Sequence, residues 1–65
     1  MKRIVDIYRK GQGGQLLWTY IVILGGNGSH PSLVDFKNEA LRLAVLDNHD
    51  LIENLDAYVH LEIIQ

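Results

Sequence analysis

Five side chains able to do acid–base or metal chemistry fall at alternating positions of apolar stretches: Asp6, Thr19, Tyr58, His60 and Glu62. Side chains alternate sides along a strand, so neighbouring strands would bring these five onto one face of a sheet. A histidine flanked by carboxylates can bind a divalent metal, or act as an acid–base pair with Asp6 or Glu62 orienting His60. The same residues are equally what a half-exposed sheet carries as solvated polar spots, and their pattern implies no concave pocket. Asp6, Thr19, His60 and Glu62 are therefore read as a polar cluster, with no catalytic residue, metal site or cofactor assigned.

Other chemistry-bearing stretches point the same way. GGNGSHPS, residues 25–32, joins an apolar run to a helical stretch, as phosphate-holding loops do. It lacks the Lys and the spacing of a Walker loop, and Pro31 stands where a dinucleotide fingerprint needs its third glycine. Glycines and an asparagine there are read as supplying positive φ for a tight change of direction. Asp47, His49 and Asp50 read as residues that end one helix and cap the next turn. There is no Gly-x-Ser-x-Gly element and no cysteine, so covalent catalysis has no candidate nucleophile of these kinds.

Tyr8, Trp18, Tyr20 and Tyr58 could stack unpaired bases, as strand aromatics do in RNA-binding sheets. Charge opposes that reading. Six Lys and Arg against eight Asp and Glu leave a net charge of -2, and Lys2, Arg3, Arg9 and Lys10 crowd one end. Binding to nucleic acid is disfavoured on that ground.

The elements that must position these residues follow from periodicity. Ile4–Tyr8 and Leu16–Leu24 are rich in β-branched, aromatic and aliphatic residues, and GQGG between them signals a hairpin. A loop of two or four residues pairs Arg9 with Leu16, Ile7 with Trp18, Val5 with Tyr20 and Asp6 with Thr19, so the two polar strand centres face each other. One face then carries Val5, Ile7, Leu16, Trp18, Tyr20, Val22 and Leu24. The other carries Ile4, Asp6, Tyr8, Leu17, Thr19, Ile21 and Ile23.

Ser32 with Asp35 resembles a capping box, and a helix from about 32 to 47 follows. Its apolar stripe is Leu33, Phe36, Ala40, Leu43 and Ala44, widened by Val34, Leu41 and Val45. Asn48 reads as a left-handed terminator, and Asp50 with Glu53 as the cap of one more turn, DLIEN. LDAYVHLEII alternates as a half-buried strand should, with Ala57, Val59, Leu61 and Ile63 on one side. The fold class is α+β: β-β-α-β, a three-stranded antiparallel sheet of order 2-1-3, with 1-2-3 as the alternative, covered on one face by one helix.

With 65 residues the chain is expected to form one domain, residues 1–65, whose core alone gives a thin margin. Having no cysteines, it cannot use disulfides or thiolate zinc as a brace. The apolar run at 16–24 is about half the ~20 residues of a membrane-spanning helix. MKRIVDIYRK does not continue as a signal peptide, so a cytoplasmic location and no membrane association are expected.

The remaining signal is a surplus of apolar residues over what one helix can hide. Ile4, Tyr8, Leu17, Ile21, Ile23, Tyr58 and Ile64 would form a patch on the open face that solitary proteins seldom leave bare. The sequence thus predicts a small non-catalytic interaction or accessory protein, homodimeric through that face or covering it with a protein partner. A nucleic-acid-associated regulator is the second reading, and a small metal-dependent or acid–base enzyme is the third.

Overall fold

A computed structural model describes residues 1–11, 13–26 and 28–64. The chain runs β1 (Lys2–Arg9), β2 (Leu16–Ile23), α1 (Leu33–Leu46), a 3-10 turn (Ile52–Asn54) and β3 (Leu55–Ile64). The strands form an antiparallel sheet of order β2-β1-β3 with the helix against it, which is the α+β arrangement the periodicity predicts. Among the described residues no helix is long and apolar enough to cross a membrane.

The hairpin register is as expected at its centre and wrong at its end. Val5 faces Tyr20, Asp6 faces Thr19 and Ile7 faces Trp18, but Leu16 lies opposite Tyr8 rather than Arg9. The Arg9 N–H reaches the Gln15 carbonyl at 2.9 Å, so an odd-length loop, 10–14, closes the hairpin. An odd loop shifts the register by one, and a bulge between Ile7 and Tyr8 restores it. Positive φ at Gly11, Gly13 and Gly14 makes that loop accessible; Gln12 lies outside the described residues.

The bulge also corrects two side-chain placements. Cross-strand partners share a face, so Leu16 joins Tyr8 on the open side. Leu17, expected there, packs against the core cluster instead. A second irregularity, between Arg3 and Val5 on the β3 side, puts extra β3 residues opposite Ile4.

The helix matches its predicted signals closely. Ser32 Oγ accepts from the Asp35 N–H while Asp35 Oδ2 accepts from the Ser32 N–H, completing the capping box. Past Asp47 the chain turns through Asn48 at φ 58. The N–H groups of Asn48 and His49 then bond the carbonyls of Val45 and Ala44, a Schellman ending that leaves no helix carbonyl of that pair unsatisfied. The DLIEN turn is present but is not capped as expected. Its N-cap is Leu51, without a side-chain bond, because Asp50 Oδ1 accepts from the Leu51 N–H and from Asn54 Nδ2.

Val5, Ile7, Val22, Phe36, Ala40, Ala44 and Leu55 are buried, and among the described residues no whole polar residue is buried with them. Phe36 presses on the fully enclosed Val5 and Ile7 region, while Ala40 and Ala44 let the later turns approach the sheet closely. Each enclosed Val, Ile or Phe contributes about 1.5–3 kcal/mol, so this short set carries most of the fold's hydrophobic stability.

Candidate functional site

The open face is built in rungs across the three strands. Thr19, Asp6 and Tyr58 form the central rung; Ile23, Lys2 and Ile64 form the rung at one end, and Leu16, Tyr8 and Asp56 the rung at the other. Ile21 pairs with Ile4 between them. Ile21 is 62% exposed, Ile23 65% and Tyr58 57%, whereas Ile4, Tyr8 and Ile64 are half-buried. Six of the seven residues predicted for the patch are therefore on this face, and Leu17 is the exception.

At its centre Asp6 holds two partners. Thr19 Oγ1 donates to Asp6 Oδ1 at 2.7 Å, and His60 Nε2 lies 2.8 Å from Asp6 Oδ2. An ionised carboxylate only accepts, so Nε2 carries the shared proton. The hydrogen bond from His60, then that from Thr19, holds the Asp6 carboxyl below its ordinary value of 3.8. Tyr58 meets the His60 ring edge-on at 5.6 Å. Glu62, the fourth residue of the predicted cluster, is exposed within the irregular stretch of β3.

That geometry limits the chemistry. Both Asp6 oxygens are occupied by neighbours, and the carboxylate, not the imidazole, sits in the middle of the row. A nucleophilic triad needs the histidine between hydroxyl and carboxylate. Among the described residues no group of three or more His, Asp or Glu side chains could hold a metal ion.

Arg3, a residue the sequence reading weighed only as a surface charge, sits on the helix side of β1. Its guanidinium lies 5.6 Å from the centre of the Phe36 ring and donates to the carbonyls of His60 and Leu61. These carbonyls belong to the stretch where β3 departs from its regular register, so Arg3 supplies donors to them where the ladder is irregular. Its Nε is enclosed without a partner.

At the other end of the helix side, Trp18 stacks on His49 at 5.5 Å and Tyr20 meets the same ring edge-on at 6.3 Å. The Schellman ending delivers His49 to that position. The Tyr20 hydroxyl donates to Asp47 Oδ2; burial first, then Asp47, pushes its pKa to about 12. Trp18, expected beneath the helix, is 52% exposed because it lies past the helix end. Asp50 pairs with Arg9 at 2.8 Å, and bonds from Asn54, Arg9 and the Leu51 N–H, in that order, lower its pKa to about 2.

In the second glycine loop Gly25, Gly26 and Gly28 all have positive φ, and a Cβ on Gly25 would come within 3.0 Å of Pro31 Cδ. Turning thus accounts for those glycines; Asn27 lies outside the described residues. The helix start itself is already occupied by the Asp35 carboxylate.

One feature had no signal in periodicity. A groove of ≈ 340 Å³ runs between the first turns of α1 and β3, lined by Leu33, Val34, Val59 and Leu61 with Lys37 on its wall. Its existence depends on β3 being an outer strand, which alternation alone does not specify. Comparison of the chain with protein-family models, curated proteins and solved structures found no match.

Proposed function

We propose that the chain is a small non-catalytic interaction or accessory protein that self-associates through its open sheet face. The observation that carries this reading is the exposure of Ile21 and Ile23 beside half-buried Ile4 and Ile64 on a single face. Contiguous apolar surface of more than a few hundred Å2 is rare on solitary proteins. Each ~100 Å2 of it removed from water contributes about 2.5 kcal/mol, a large share of the stability of so small a fold. A second copy across a twofold axis is the simplest cover, sheet against sheet.

The central row suits that use. With its two oxygens bonded to Thr19 and His60, the carboxylate at the centre of the patch enters the interface already partnered, which lowers the penalty of drying it. The alternatives draw less support. Arg3 is committed to β3 carbonyls and Arg9 to Asp50, leaving little basic surface for a nucleic acid. Each Asp6 oxygen already accepts one hydrogen bond, which leaves it less available to a metal or a substrate proton.

Ile21→Lys and Ile23→Glu test the reading separately. Each is expected to lower the molar mass measured by light scattering while the circular dichroism of the fold is retained. A wild-type mass that neither variant changes would reject the face as the contact.

A further inference from the structure

Histidine is the one residue type whose ordinary charge change falls between about pH 5 and 8. The open face carries one, His60, in its central row. It is half-buried in the irregular stretch of β3, and β1 holds it from both sides of the sheet. On the open side its Nε2 lies 2.8 Å from Asp6 Oδ2; on the helix side its carbonyl accepts from Arg3 at 3.2 Å. Tyr58 meets the ring edge-on at 5.6 Å. Nε2 donates to the carboxylate in the neutral and the charged imidazole alike, so an added proton enters at Nδ1 and leaves the row in place.

The groups around His60 are few. β1 contributes Asp6 and, on the helix side, the Arg3 guanidinium, which lies over the Phe36 ring. β2 contributes Thr19, which is uncharged. On β3, Tyr58 and Glu62 flank it in sequence. Lys2 and Asp56 stand on the end rungs, and Asp56 is paired with Lys37 of α1. The bonds from His60 and Thr19 hold the Asp6 carboxyl below 3.8, so Asp6 stays ionised across the range in which histidines titrate. Between those limits the charge of the Thr19–Asp6–His60 row is set by His60 alone.

We infer that His60 gates the face contact by protonation: copies associate through their open faces while its imidazole is charged, and part as it loses that charge. The inference rests on the face contact proposed above. With the proton, each row holds one carboxylate and one imidazolium and is neutral. Without it, each row holds one uncompensated negative charge. Sheets packed face to face lie about 10 Å apart, so a twofold axis through the middle of the patch sets the two rows against each other. Two unit charges at ~10 Å in a partly dry contact repel enough to weaken association ~10-fold or more. Each carboxylate then also resists being dried without a counter-charge. In a solitary chain the row faces water, which screens its charge, so the cost falls on the contact rather than on the fold. Association accordingly takes up at most one proton from solvent per copy.

The test is the dissociation constant of self-association, from light scattering over a concentration series at about pH 5.5 and about pH 8. Ionic strength is held constant, and circular dichroism at both pH values keeps unfolding apart from dissociation. The wild-type constant should be at least ~10-fold larger at the higher pH. His60→Gln keeps an N–H for Asp6 but cannot gain charge, so its constant should be equal at both pH values and as weak as the wild type's at about pH 8. Asp6→Asn reverses the sign: its row is neutral at high pH and positive at low pH, so association should weaken on acidification. His30→Gln with His49→Gln, which replaces the other two histidines, should keep the wild-type rise.

A wild-type constant equal at both pH values overturns the inference, as does a rise that survives in His60→Gln. Should His60→Gln lose the fold, a rise in the wild-type direction in Asp6→Asn overturns it instead. A mass that Ile21→Lys lowers but pH does not change removes the gate and leaves the face reading standing. A pH-dependent mass that neither Ile21→Lys nor Ile23→Glu changes rejects the face, and the gate with it. A wild-type chain monomeric at both pH values also rejects both.

Discussion

On one side of β1, Val5 and Ile7 are wholly enclosed beneath Phe36, Ala40 and Ala44. On the other, Asp6 holds Thr19 and His60 in a row, with Ile21 and Ile23 beside it in the open. The strands supply both sides from the same alternating residues, so the contrast comes from the cover. A 14-residue helix whose buried positions are Phe, Ala and Ala can sit close over one face and reach no further. Among the described residues the enclosed side consequently buries no whole polar residue, only the Nε of Arg3, and the open side keeps its polar residues by pairing them with each other. Stability resides on the first side, and association is proposed for the second.

The sharpest way to break the contrast is to empty the enclosed side. Phe36→Ala should cost about 3–5 kcal/mol, the loss expected for a large aromatic in a sealed core, and urea unfolding would measure it. A loss below ~1 kcal/mol would mean that Phe36 is not the keystone of the covered face. Arg3→Met keeps the stem against Phe36 but removes the donors to the His60 and Leu61 carbonyls, and should cost about 1–3 kcal/mol. Ser32→Ala removes half of the capping box and should cost about 1 kcal/mol, read as lost helix stability in thermal melts.

The open side gives the smallest stability effect and a pH signature. The folded pKa of Asp6 lies below its ordinary 3.8, so its row stabilises the fold at pH above that value. The contribution fades as pH falls through 3.8 toward the lowered folded value. Asp6→Asn should lower stability at neutral pH by up to about 1 kcal/mol and flatten this acid slope. Urea midpoints taken at descending pH would show it; an unchanged slope would mean the row carries no linkage.

Much of this contrast could be read from the residues alone. The clean alternation of LDAYVHLEII gives β3 its full extent, and the Ser32–Asp35 pair with Asn48 marks both ends of α1. Asp6 opposite Thr19 was legible because the strand centres hold no other polar pair. Three features were hidden for physical reasons. The GQGG glycines permit several loop lengths, so an odd loop and the bulge that exchanges Leu16 and Leu17 left no trace in composition. Arg3 depends on carbonyls that become available only where β3 breaks register. The groove beside Val34 and Leu61 arises from strand order, a long-range property. His49 looked like a turn residue and is one, yet the same turn is what brings it onto Trp18.

The central claim is that the open face is covered by a second copy, and molar mass in solution tests it most directly. Light scattering over a range of concentrations should give a wild-type mass at least twice the 7.4 kDa of one chain, falling in Ile21→Lys without loss of the folded circular dichroism spectrum. A wild-type chain that stays at 7.4 kDa and folded at every concentration, its Ile21 and Ile23 bare to water, would contradict the account.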